Sequence, residues 1–449
     1  MNPEILGLIL LVALISGIFI GFPIAFTLII LAVVFGYIGF GKVVFFLMFF
    51  QTWQIMKEET LAAVPLFIFM GHILEQAGLM ERLFMSFQFI LARVKGSLYL
   101  GVLFVATIFA TATGIIGASV TVMGLLAAPA MMRSGYNVAL SAGVITAGGC
   151  LGILIPPSVL LVVLGPVVGV SVVQLFAAAL IPGLILSGLY FAYTFIRCQI
   201  NPALGPPLPP EERPESFAVV IREFFLGMVP LAVVVFAALG SIIAGLATPT
   251  EAAAMAAVGA LLLTLLYGRL NWRMLRDAAL STLGTSSLVL FLAVASNIYG
   301  AVFARLGTAT LITNTMLALP VSPLLMIIIL MAIIFVLGWP LEWPAIVLIF
   351  VPIFLPVVQA LAGQLIPGVD EAQVMVWFCI LVAVNLQTAF LSPPVAMAAY
   401  YLKGVAPEWE LSDIYNGMLQ FMVLQCIGLL IVLLYPEVAL WLPRVIFGN

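Results

Sequence analysis

Long apolar runs separated by short polar breaks dominate this chain, and most are of the length that crosses a bilayer. At roughly 1.5 Å of rise per residue, about 20 helical residues cross the ~30 Å hydrocarbon layer. On that rule helical spans are predicted near 5–20, 22–40, 64–79, 138–166, 171–197, 224–244, 249–267, 280–304, 373–402 and 415–442. Two further apolar stretches, 97–133 and 322–361, are each about two helices long and carry Gly or Pro near the centre. Each reads as an ordinary helix pair or as a re-entrant hairpin, in all about 10–12 membrane segments. Segments 41–63, 80–96 and 268–279 mix Phe, Leu or Met with charges at helical spacing, the pattern of arm helices lying in the interface plane.

Composition makes the class firm. The 449 residues are 65% hydrophobic and 7% charged, with a mean hydropathy of +1.32. That leaves too little polar surface to cover a soluble globule, so the expected fold class is an all-α polytopic membrane protein with the lipid bilayer as its solvent. The first apolar run follows Glu4 with no basic region before it and reads as two spans meeting at Gly21-Phe22-Pro23 rather than a cleaved signal. Cys150, Cys198, Cys379 and Cys426 have neither disulfide-framework nor metal-type spacing. A formal charge of −3 gives no reason to expect nucleic acid as a partner.

Charge chooses between the two readings of the long stretches. If both are hairpins, Arg82, Arg93, Lys95, Arg133, Arg197, Arg213, Arg222, Arg269, Arg273, Arg276 and Lys403 share one face, against Lys42, Lys57, Arg305 and Arg444 on the other. The basic face is cytoplasmic by the positive-inside rule, so both termini are expected outside, with the first hairpin entering from the cytoplasm and the second from the exterior. Internal similarity divides the chain in the same way: FMGHILEQAGL from Phe69 resembles IYGAVFARLGT from Ile298, and the prolines at 156 and 393 stand 237 positions apart. The predicted domains are a first repeat, 1–200, a cytoplasmic linker, 201–223, and a second repeat of opposite orientation, 224–449.

The chemistry is expected where spans are interrupted. Ile155-Pro156-Pro157-Ser158 and Ser392-Pro393-Pro394-Val395 break the spans 138–166 and 373–402 at matching places. Proline removes a donor and clashes with the carbonyl four residues back, and unwound chain survives in hydrocarbon only when buried in protein or lining a wet cavity. Such breaks offer carbonyl oxygens to Na+ or H+ and a half-helix N-terminus to an anion. The first hairpin turns at Gly114 to Thr121, where Ser119 and Thr121 supply hydroxyls beside Gly114 and Gly117; its partner is the break from Gly149 and Gly152 through Pro156 to Ser158. The second turns at Leu337 to Pro344, where Gly338, Trp339 and the ionisable Glu342 face Asn385, Gln387, Thr388, Ser392 and Pro393. Asn297 is a further candidate that bonds either substrate or another helix; His72 and Glu75 share a helix face, and Thr248-Pro249-Thr250-Glu251 spells a capping box. A serine hydrolase built on Ser119 and His72 has no identifiable oxyanion donors, so no enzyme is expected. A channel is disfavoured because no polar stripe lines a pore.

These residues resemble one known family, the large membrane subunit of tripartite ATP-independent periplasmic (TRAP) transporters, the DctM-like permeases. The likeness rests on Gly21-Phe22-Pro23, VPLFIFMGHILEQAGL from Val64, GASVTVMG from Gly117, GCLGILIPPSV from Gly149, GLATPTEAAA from Gly245 and LSPPVAMAAYYLKGVAP from Leu391. It implies an inverted-repeat, elevator-type secondary transporter of the bacterial inner membrane, with Na+ as coupling ion. The implied companions are a small four-helix membrane subunit and a periplasmic substrate-binding protein that delivers a small organic acid. Carried over, one sodium site falls on Gly114, Gly117, Ser119, Gly149, Gly152 and Pro156, and the other on Gly338, Trp339, Gln387, Thr388, Ser392 and Pro393. Substrate is expected between the tips, near Ser119, Thr121, Ser158, Asn297, Glu342 and Thr388. Trp339, Glu342 and Trp343 stand where many members carry an Asp and fewer aromatics. A stand-alone Na+- or H+-coupled dicarboxylate or organic-anion carrier, with similar hairpins and no binding protein, is the alternative reading.

Overall fold

In the computed structural model, which describes residues 2–113, 116–208, 217–393 and 396–448, every regular element is helical. The first two helices, α1 (Pro3–Phe19) and α2 (Ile24–Phe40), are separated where the sequence places Gly-Phe-Pro. Gly21 takes φ +89°, a conformation glycine adopts without a Cβ penalty, and Pro23 then caps α2 with its fixed φ. The next helices are α3 (Val43–Met56), α4 (Ala63–Gln76) and α5 (Leu79–Ile90); α4 and α5 are bent by 59° across the left-handed Gly78.

Each long apolar stretch forms two helices. The first comprises α6 (Ser97–Thr113) and α7 (Ile116–Arg133), packed side by side, with the predicted turn residue Gly114 outside the described residues. α8 (Val138–Cys150), α9 (Val159–Val168) and α10 (Val172–Ile200) complete the first half. The second half runs through α11 (Phe217–Ile243), α12 (Pro249–Leu266), α13 (Trp272–Arg305), α14 (Thr308–Leu317) and α15 (Pro323–Leu337). It continues through a short α16 (Trp343–Ala345), a π turn at Ile346–Phe350, α17 (Val351–Leu365), α18 (Glu371–Ala389), α19 (Met397–Val405), α20 (Leu411–Leu434) and α21 (Glu437–Phe447).

Three boundaries differ from the sequence reading. Segment 268–279 is no separate arm: Asn271 caps Met274 N at 2.9 Å, and one 34-residue helix runs on to Arg305. The predicted span 415–442 is two helices, because Pro436 ends the ladder and α21 turns back onto α10 and α18, where Arg444 Nε donates to Gln373 Oε1 at 2.8 Å. The linker is shorter than expected, α11 having already begun at Phe217, and its first part is pinned: Gly96 N donates to Gly205 O at 2.8 Å and Leu208 N to Ala92 O at 3.0 Å. The capping box does form, with Thr248 N on Glu251 Oε2 at 2.8 Å and Glu251 N on Thr248 Oγ1 at 3.3 Å.

Exchange the two halves and the packing maps onto itself. α2 lies on α13 as α12 lies on α4; α11 on α12 as α1 on α2; α8 on α20 as α18 on α10; and α7 on α19 as α9 on α17. The sequence explains which helices are central. α8 and α18 are apolar around their whole circumference, so they bury every side from Leu140 to Cys150 and from Val374 to Ala389, and hairpins and outer helices close around them. Eight helices among the described residues are long and apolar enough to cross a bilayer, nine with the bent α4–α5 pair. Shorter apolar helices include α15, α8 and α9, an arm of the second hairpin and the halves of the first interrupted span.

Candidate functional site

Both interruptions form where the double prolines stand. α8 ends at Cys150, tightens into a 3-10 turn over Leu151–Ile153, and the chain then runs through Pro156 and Pro157 to the extended Ser158, which begins α9. Local bonds close this break: Leu154 N and Ile155 N both donate to Leu151 O at 3.0 Å, and Ser158 Oγ donates to Ile153 O. α18 likewise ends at Ala389, and α19 starts eight residues later. Here Thr388 Oγ1 donates to Asn385 O at 2.7 Å, Ser392 Oγ donates to Thr388 O at 2.7 Å and lies 3.1 Å from Met422 Sδ. With their protons turned to the backbone, these hydroxyls keep lone pairs to offer. Pro394 lies outside the described residues.

Each hairpin tip is pressed onto the break of its own half. A Cβ on Gly149 would stand 2.4 Å from Val120 Cγ2 and 3.2 Å from Val120 N, so only glycine lets the Ser119–Val120 segment sit this close. In the second half a Cβ on Gly338 would stand 2.9 Å from the Ala389 Cβ. The halves also meet crosswise, since a Cβ on Gly117 would lie 2.9 Å from the ring of Tyr401 on α19. The structure thus brings the Ser119–Val120 segment to Gly149, Gly117 to Tyr401, and Gly338 to the end of the helix carrying Gln387 and Thr388.

Burial separates the candidates. Ser119, Gly149, Gly152, Pro156 and Ser158 are buried, Gly117 and Thr121 half-buried. In the second set Gly338, Gln387, Thr388 and Ser392 are buried and Pro393 half-buried, whereas Trp339 and Glu342 are exposed. Glu342 occupies the N-cap of the helix that starts at Trp343, with no side-chain capping bond. Gln387 carries the clearest chemical signal: it is fully buried, yet neither its amide oxygen nor its amide nitrogen has a partner among the described residues. Asn385 anchors the hairpin by donating to Met331 O at 2.7 Å and leaves its own oxygen unpartnered. A buried polar group left so costs about 1–3 kcal/mol, which a ligand can recover. Among the described residues no three His, Cys, Asp or Glu side chains gather, so neutral oxygens are the donors these breaks present, the set that suits a hard cation.

Of the two roles open to Asn297, the structure shows a bond to another helix. Its Nδ2 donates to Gln51 O at 3.0 Å and to Gln51 Oε1 at 2.8 Å, tying α13 to α3. It lines a cavity of about 640 Å³ between α3, α9, α13 and the π turn and α17 of the second hairpin, with Gln54, Glu58 and Ser296. His72 Nδ1 stands 3.5 Å from Glu75 as the helical spacing requires. The residue that sequence reading missed is Tyr401. Its signal was a Tyr400–Tyr401 pair directly after a break in an otherwise apolar segment, but which phenol turns to the tips is settled only by the rotation of α19.

The family model described as "Tripartite ATP-independent periplasmic transporter, DctM component" matches residues 11–438. The chain is 28% identical over 431 residues to the sialic acid TRAP transporter large permease protein of Vibrio cholerae, with 96% of each covered. It is 27% identical to the 2,3-diketo-L-gulonate TRAP transporter large permease protein of Escherichia coli, covering 97% of this chain and 98% of that one. It is also 27% identical to the C4-dicarboxylate TRAP transporter large permease protein of Rhodobacter capsulatus, covering 87% and 88%. Among solved structures, the crystal structure of the Alcanivorax borkumensis YdaH transporter aligns with a TM-score of 0.61 at 13% identity, over 100% of this chain and 99% of that one. That likeness concerns the fold.

Proposed function

The chain belongs to the DctM component family of tripartite ATP-independent periplasmic transporters, and from that premise we propose that it is the large subunit of a Na+-coupled importer of a small organic acid in the bacterial inner membrane. A small four-helix membrane protein and a periplasmic binding protein complete the system. The observation that carries the reading is the seating of each hairpin tip on its own broken helix, with the unpartnered Gln387 amide in the second. Na+ binds main-chain and neutral side-chain oxygens at each tip, around Gly117, Ser119 and Gly149 and around Gly338, Gln387 and Thr388. Its charge, with the N-termini of α9 and α19, makes a carboxylate favourable between the tips. The hairpins, α8–α9 and α18–α19 then move as one body against the outer helices. Coupling arises because substrate prefers the sodium-loaded state; a ligand with no state preference shifts nothing.

The test is uptake in proteoliposomes containing this chain and its small partner, with the binding protein added outside. Uptake requires the Na+ gradient, the partner and the binding protein together, and Ser119→Ala with Thr388→Val raises the Na+ concentration needed. Uptake of free substrate by this chain alone identifies a stand-alone carrier instead. An unchanged sodium requirement in the double variant removes the proposed ion sites.

A further inference from the structure

The segments that form the tips and the breaks contain one carboxylate, Glu342, and no cationic residue. Segments 116–121, 148–158, 338–344 and 390–402 contain neither Lys nor Arg. The nearest basic residue in sequence, Lys403, is committed elsewhere: its Nζ donates to Pro407 O at 2.8 Å and to Trp409 O at 2.7 Å. Glu342, in contrast, stands exposed at the second tip, on the N-cap of the helix beginning at Trp343. Tyr401, 39% exposed, has its ring against Gly117 of the first tip, and the Glu342 carboxylate of the second tip acts on its phenol electrostatically.

We propose that Glu342 and Tyr401 determine specificity, restricting the site to monoanionic carboxylic acids that carry hydroxyl groups and rejecting dicarboxylates. This rests on the transport reading above and names its substrate class. One substrate carboxylate is accommodated by the bound cation and the half-helix N-termini. A second would face Glu342 with no arginine or lysine from these segments to neutralise either, and like charges repel. A hydroxyl in the same place donates a hydrogen bond to the Glu342 carboxylate and pairs with the Tyr401 phenol, which both donates and accepts. A plain aliphatic acid offers neither group a hydrogen bond, and a site built to bond a hydroxyl discriminates against an analogue that lacks it.

The experiment is ligand-dependent thermal stabilisation of the purified full chain with its small partner in NaCl buffer, using D-gluconate, succinate and propionate as probes without the binding protein. Gluconate is expected to half-saturate at a concentration at least tenfold below succinate or propionate. Glu342→Gln should narrow the gluconate-to-succinate ratio by fivefold or more, chiefly by tightening succinate, and Tyr401→Phe should weaken gluconate while leaving propionate unchanged. Succinate binding the wild type as tightly as gluconate overturns this inference and leaves the transport reading intact, and this ranking needs no variant to fold. An unchanged ratio in a folded Glu342→Gln protein overturns it too. If none of the three acids stabilises the chain in NaCl, this inference is overturned, while the transport reading stands or falls on the separate uptake assay with the binding protein.

Discussion

Replacing Gly149 with alanine adds one methyl group at the contact between a hairpin tip and a broken helix. That methyl would stand 2.4 Å from Val120 Cγ2 and 3.2 Å from Val120 N. The side chain can rotate, but the backbone nitrogen cannot yield without moving the tip itself. Forced overpacking of this kind costs about 1–3 kcal/mol, partly offset by the ~1 kcal/mol that alanine gains over glycine inside a helix. Global stability should therefore fall by no more than about 2 kcal/mol. The displacement falls on the geometry holding Ser119 to the break, so the effect appears in ion affinity: a coupling of about 1–3 kcal/mol is roughly 5- to 150-fold in the half-saturating Na+ concentration. Gly188→Ala on α10 is the control, since nothing lies within 4 Å of its added methyl. The assay is Na+-dependent thermal stabilisation of the purified protein, with choline replacing Na+ at constant ionic strength. If the Na+ midpoint of Gly149→Ala matches wild type and Gly188→Ala, the contact between tip and break does not set the ion site, and the argument fails.

Other substitutions separate ion binding from folding. Gln387→Met replaces an unpartnered buried amide by an unbranched apolar chain of similar length; melting in sodium-free buffer should rise, by up to about 1–3 kcal/mol of stability, while the stabilisation added by NaCl disappears. Retention of that stabilisation would exclude Gln387 as an ion ligand. Trp377→Phe removes the buried bond from Nε1 to Val432 O at 2.9 Å that joins α18 to α20; melting should fall by the equivalent of about 1–2 kcal/mol, with the Na+ midpoint unmoved. Asn297→Leu breaks the link to Gln51 and should lower melting modestly, by about 1 kcal/mol, leaving both Na+ and acid affinities unchanged. A large loss of acid affinity would return Asn297 to the substrate site.

The elevator reading also gives a role to the cavity beside Asn297. It is bounded by α3 and α13 on one side and by α9 with the π turn and α17 of the second hairpin on the other, the two groups proposed as the fixed and moving bodies. Bulk added there, for instance by Ala293→Trp, should slow uptake without altering ligand-induced stabilisation, measured on the same preparation. Equal uptake rates would show that this boundary does not slide.

The sequence by itself determined the membrane class, the paired stretches at 97–133 and 322–361 and both broken spans, because these follow from composition, run length and proline chemistry, which act locally. Its capping box and Gly-Phe-Pro junction were legible for the same reason: each is a bond or a backbone angle within a few residues. What ended each long apolar segment was less legible, since continuation of α13 back to Trp272 and the return of α21 depend on neighbours distant in the chain. Only the tertiary structure decided that Gly149 meets Val120, that Gly338 meets Ala389, that Tyr401 crosses to the opposite half, and that Asn297 belongs to Gln51. In a chain this uniformly apolar, hydrophobic pattern scarcely marks which helix face turns inward. Rotation and register are set instead by close approach at small residues and by the few polar groups that must find partners, and both are properties of pairs.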